Sequence, residues 1–153
     1  MVVEGKMNGV HLLVLLVPLV ALTLVAITNS EPKMLTELKA RYFKTLDILR
    51  ATGDPMWKPV LNPAIITGLH GKKDGVIGSN VNKGYEIYIC LDGDDVNSAF
   101  YVLMHELAHM TVPEYDHSIK FWENFEKLKK ICIDSGLYVK GGVRSYCGDQ
   151  IRD

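Results

Sequence analysis

The chain has 153 residues, 48% of them hydrophobic, with 17 basic and 18 acidic side chains and a formal net charge of −1. That length allows one modest domain with its own core, and the near-neutral balance carries no clear nucleic-acid signature. Cys90, Cys132 and Cys147 are odd in number and form no C-x-x-C pair, which argues against a disulfide scaffold or a cysteine-rich zinc finger and favours free thiols in a reducing compartment.

From Met7 to Ser30 there is no Lys, Arg, Asp or Glu, and His11 to Ile27 is almost wholly aliphatic. About twenty apolar residues in helical rise match a hydrocarbon core of roughly 30 Å. Residues 1–30 are therefore expected to be an N-terminal transmembrane anchor, and 31–153 the folded domain. A cleaved secretory signal fits less well, because the apolar run is long and only Lys6 precedes it. Lys33, Lys39, Arg41, Lys44 and Arg50 follow the span, so the positive-inside rule predicts a single-pass protein with its domain in the cytosol.

The spacing of Leu35, Leu38, Tyr42, Leu46 and Leu49 predicts an amphipathic helix over 32–50. Residues 56–82 are rich in Gly, Pro and Asn, with one candidate strand at 64–67. Alternation of Tyr85, Ile87, Ile89 and Leu91 with Glu86, Tyr88 and Cys90 predicts a better one, which could serve as an edge strand for a peptide. Asp92 to Asp95 supplies a turn and a helix N-cap. Helices are then expected over 95–111, ended by Pro113, and over 118–135, with Gly136 as C-cap. Phe121, Trp122 and Phe125 read as core. The order of elements predicts an α+β domain.

His105-Glu-Leu-Ala-His109 matches H-E-x-x-H. Histidines at i and i+4 project from one helix face and can share a zinc ion, while the intervening Glu106 can act as general base on water. Val96, Phe100, Leu103, Leu107 and Met110 cluster on the opposite side, so the helix has an apolar back and a ligand front. A catalytic zinc site takes three protein ligands. His117, eight residues beyond His109 and past the helix break, is the expected third. Glu114 and Asp116 are alternatives, and Glu123 or Glu126 would mimic a carboxylate from a later helix. Tyr138, Arg144 and Tyr146 are candidate electrophiles for a developing oxyanion. His70 is expected to be exposed, and Cys147 to be a buried inert thiol.

The seven-residue gap is too long for a metzincin, which has five residues and a Gly there. With His117-Ser-Ile-Lys-Phe-Trp122 added, the pattern resembles the WLM/SprT-type minimal zincin group. It is most similar to small metallopeptidase-like proteins of nucleocytoplasmic large DNA viruses, through Phe121-Trp-Glu-Asn-Phe125, Gly136-Leu-Tyr138 and Tyr146-Cys-Gly148. The resemblance covers about residues 84–150. It implies a zincin-like fold, bound Zn2+ and hydrolysis of a protein or peptide substrate, in a virion or infected-cell membrane. A non-peptide hydrolase on the same scaffold and a zinc-containing structural protein are the alternatives. Glu106 argues against the second, since a structural ion needs no base.

Overall fold

The computed structural model describes residues 17, 18, 20, 31–93 and 95–153. The chain divides into two units, Met1–Pro32 and Lys33–Asp153, and everything below concerns the second.

Helix α1 (Lys33–Thr52) buries Leu35, Leu38, Tyr42, Leu46 and Leu49, the predicted stripe, together with Thr45. It ends at Gly53, whose positive φ of 65° a residue with a side chain would adopt less readily. The Ala64 amide donates to the Tyr42 hydroxyl at 2.8 Å, which ties the helix to the strand that follows.

Strands β1 (Ile65–Leu69), β2 (Gly78–Val81) and β3 (Glu86–Cys90) form one sheet in the order β1-β3-β2. β3 pairs parallel with β1 and antiparallel with β2. Its Ile87 and Ile89 are fully buried, as the alternation predicts. The strand is central, however, and the edge beside the remaining helices belongs to β2. Asn82, Lys83 and Gly84 all take positive φ in the connection from β2 to β3, the backbone of a tight hairpin turn.

Helix α2 (Val96–His109) starts at Asp95, whose carboxylate accepts from the Asn97 and Ser98 amides at 2.9 and 3.0 Å. Ten of its 14 residues are buried, so it is enclosed well beyond the single apolar stripe expected. Helix α3 (Ile119–Asp134) is capped by Ser118 and packs Phe121, Phe125, Leu128 and Cys132 against α2. A hairpin of β4 (Val143–Tyr146) and β5 (Asp149–Arg152) closes the domain. Sequence periodicity did not reveal β2 or this hairpin.

Two expectations are corrected. Among the described residues no helix is long and apolar enough to cross a membrane, and most of residues 1–30, where the anchor was expected, lie outside the described ones. The fold is therefore α+β without an observed anchor, and neither the single-pass membrane placement nor its cytosolic side stands. The second correction concerns cysteine: Cys90 and Cys147 form a disulfide, and only Cys132 is a buried free thiol. β3 ends at Cys90 and the hairpin turn places Cys147 beside it, a proximity invisible across 57 residues of sequence.

Closing a loop of that length stabilises the fold by about 4 kcal/mol on the chain-entropy account. Reduction with a phosphine should therefore lower the melting temperature of the wild-type protein and leave Cys147→Ser unmoved. Equal sensitivity of the two proteins would contradict the bond.

Candidate metal centre

His105 and His109 lie one turn apart on α2, with ring centroids 5.0 Å apart. The turn after Pro113 returns the chain so that His117, just before the Ser118 cap, stands 4.8 and 4.9 Å from those rings. One ligating atom from each of the three histidines falls within 4.8 Å of the others, and the Nε2 atoms of His105 and His117 are 2.8 Å apart. Phe121 backs all three rings, with centroids 4.9, 4.3 and 4.7 Å away. Because Phe121 is fully buried, this wall holds the imidazoles in place from the core side.

The chemistry of the donors suits a cation. Burial first, and then the neighbouring imidazoles, push His105 down to about 3. Burial, His117 and Lys83 push His109 down to about 4. Both rings are thus neutral near pH 7 and present lone pairs rather than charge. Among the described residues the three histidines could together hold a metal ion.

The alternative ligands are placed elsewhere. Neither Glu114 nor Asp116 joins the cluster. Glu123 and Glu126 pair with Lys120 and Lys129 along α3. Cys147 is consumed by its disulfide, and His70 is exposed against Asp92 at 2.9 Å.

Glu106 follows His105 on α2 and is 7% exposed. Burial raises its carboxyl to about 7. β2 passes directly over it: a Cβ on Gly78 would lie 2.4 Å from Val102 Cγ1 and 2.9 Å from Glu106 Oε1. Asn80 and Lys83 then secure the end of the helix. The Asn80 amide donates to the Glu106 carbonyl at 2.9 Å. The Lys83 ammonium donates to the carbonyls of His109, Val112 and Glu114 at 3.4, 2.9 and 2.7 Å. A helix C-terminus leaves carbonyls without partners and favours a cation, and these two residues meet both demands. Gly78, Asn80 and Lys83 sit in a Gly- and Asn-rich stretch without periodicity, so no local signal marked them.

The three electrophile candidates serve structure instead. Arg144 Nη2 donates to the Tyr138 hydroxyl at 2.6 Å, and both residues engage Asp153. The Tyr146 hydroxyl donates to the Cys90 carbonyl. None of the three borders the cleft at the histidines, which is formed by Val76 to Gly78, by α2, by Trp122 and by residues 149–152. Trp122, expected in the core, is 44% exposed and faces this cleft.

Gly78→Ala should force Val102 and Glu106 aside and lower stability by about 1–3 kcal/mol; an unaltered thermal midpoint would mean that β2 does not press on Glu106. Lys83→Met removes a charged donor from three carbonyls and should cost about 2 kcal/mol in urea denaturation. No loss would show those carbonyls to be satisfied otherwise.

Residues 64–149 match the WLM domain family. An uncharacterized protein of Acanthamoeba polyphaga mimivirus is 40% identical over 78 residues, covering 44% of this chain and 40% of the relative. An uncharacterized protein of Invertebrate iridescent virus 6 is 33% identical over 85 residues, covering 49% of this chain and 47% of the relative. The chain thus spans less than half the length of either curated relative. No solved structure matches it.

Proposed function

The chain belongs to the WLM domain family, a metallopeptidase-like group with viral members, and on that footing we propose that it is a zinc-dependent peptidase. The observation that carries the proposal is the convergence of His105, His109 and His117 beside the buried carboxyl of Glu106. Three imidazole ligands suit zinc better than magnesium or calcium, which take oxygen ligands. Zinc in this position supplies a Lewis acid that activates water and polarises a carbonyl.

The residues of the chain do the rest. His105, His109 and His117 hold the ion, with Phe121 fixing their rings from behind. Glu106 takes the proton from the attacking water and passes it to the departing amine nitrogen. A carboxyl held near 7 by burial is matched to that double task, since a base of ordinary carboxylate strength would accept the proton poorly. Apolar residues around the recess limit bulk water. A peptide is favoured over other hydrolysable substrates because β2, the sheet edge beside Glu106, offers backbone groups with which an extended chain can pair.

Glu106→Gln should retain zinc and lose hydrolysis by about 10²–10⁴-fold. His109→Ala should lose the metal together with activity. Zinc content by plasma emission, alongside cleavage of a denatured protein substrate, reads both outcomes. Undiminished cleavage by Glu106→Gln would sink the mechanism.

A further inference from the structure

Two unlike recesses meet at Glu106 and His109. The larger, about 450 Å³, is walled by Val76, Ile77, Tyr101, Val102, Trp122 and Ile151. The smaller, about 170 Å³, is bounded by Asn80, Lys83 and Tyr115.

The polar groups of the smaller recess already have partners. Asn80 spans the Glu106 carbonyl and the Gly84 amide. Lys83 donates to three carbonyls, which uses all of its ammonium protons, and lies over the Tyr115 ring. That side therefore has little with which to recognise a substrate side chain. The larger recess is different. The Tyr101 hydroxyl donates to the Arg152 carbonyl at 2.7 Å, which leaves its ring as the contact surface. Val76 and Trp122 are each close to half exposed and line this recess, so it presents apolar surface to an occupant. Of the charged residues at its margin, Asp149 is paired with Lys72 and Arg152 is exposed.

The geometry points to a specificity site: the larger recess receives a bulky apolar side chain, such as Leu or Phe, of the residue that follows the scissile bond. The direction comes from β2, which runs from the larger recess at Gly78 towards the smaller at Asn80. A peptide pairing antiparallel to β2, the stronger of the two pairing modes, runs the opposite way. Its chain passes the smaller recess first and enters the larger one after the bond at Glu106. The recess volume lies within the range of ordinary ligand pockets. This assignment rests on the peptidase reading.

The test uses the zinc-loaded full chain on a mixed peptide library, with the cleaved bonds read by mass spectrometry. Leu, Phe, Ile and Met should be enriched about 10-fold or more directly after the bond. Val76→Asp should keep its zinc, lose about 10-fold in kcat/KM on those peptides and gain on peptides with Lys or Arg there. A flat profile, a preference only before the bond, or a Val76→Asp profile equal to wild type overturns the assignment. Absence of any cleavage would instead overturn the peptidase reading. The recess is then judged by binding of labelled Leu and Asp peptides to Glu106→Gln: tighter binding of Leu supports it, and equal binding overturns it.

Discussion

The burial of α2 is the constraint on which the rest of the molecule depends. A helix that carries two imidazoles and a carboxylate would ordinarily lie on the surface, where its polar side chains stay hydrated. Here ten of 14 residues are buried, and α1, the sheet, α3 and the C-terminal hairpin all pack on it. His105, Glu106 and His109 border the open cleft, with Tyr101 and Val102 beside them. Burial is also what keeps the imidazoles neutral and the carboxyl near 7, so packing and the readiness of the site for chemistry have one cause.

Such enclosure creates a difficulty at the helix end. The chain must leave α2 immediately after His109 in order to bring His117 back to the cluster, and this exposes a group of carbonyls in a crowded region. The β2–β3 turn answers that need with Lys83 and Asn80, while glycine at position 78 lets β2 pass close to Glu106. One short segment therefore positions the base, caps the helix that carries it and forms the edge of the cleft. Its unusual backbone follows from those demands, because Asn82, Lys83 and Gly84 must reverse the chain within a few residues.

The opposite wall of the cleft is built from the far end of the chain. The β4–β5 hairpin is held to the sheet by Cys90–Cys147 and by the Tyr146 hydroxyl on the Cys90 carbonyl. Tyr101 anchors its last strand from α2. A two-stranded ribbon is marginal alone, and these ties let it line the cleft with Ile151. Tyr138, Arg144 and Tyr146 belong to this fastening, and it occupies the polar atoms that oxyanion stabilisation would have required.

The parts legible in the sequence are those governed by local physics. Helical periodicity located α1, α2 and α3, the acidic turn ending at Asp95 marked where one of them starts, and strict alternation found β3. The i,i+4 histidines and His117 were readable because a helix and the break after it bring them near one another over a short span. What tertiary structure alone decided involves partners distant in sequence: the pairing of β2 with β3, the hairpin over the cleft, the disulfide and the exposure of Trp122. Short strands such as Gly78–Val81 carry no alternation, because one face meets a helix and the edge lies open. Hydropathy suggested a membrane helix in residues most of which lie outside the described ones, and nothing in the folded domain supplies one. Side-chain spacing along one helix is set by its 3.6-residue turn, whereas contacts across many residues depend on how separate elements pack, and no local pattern encodes that.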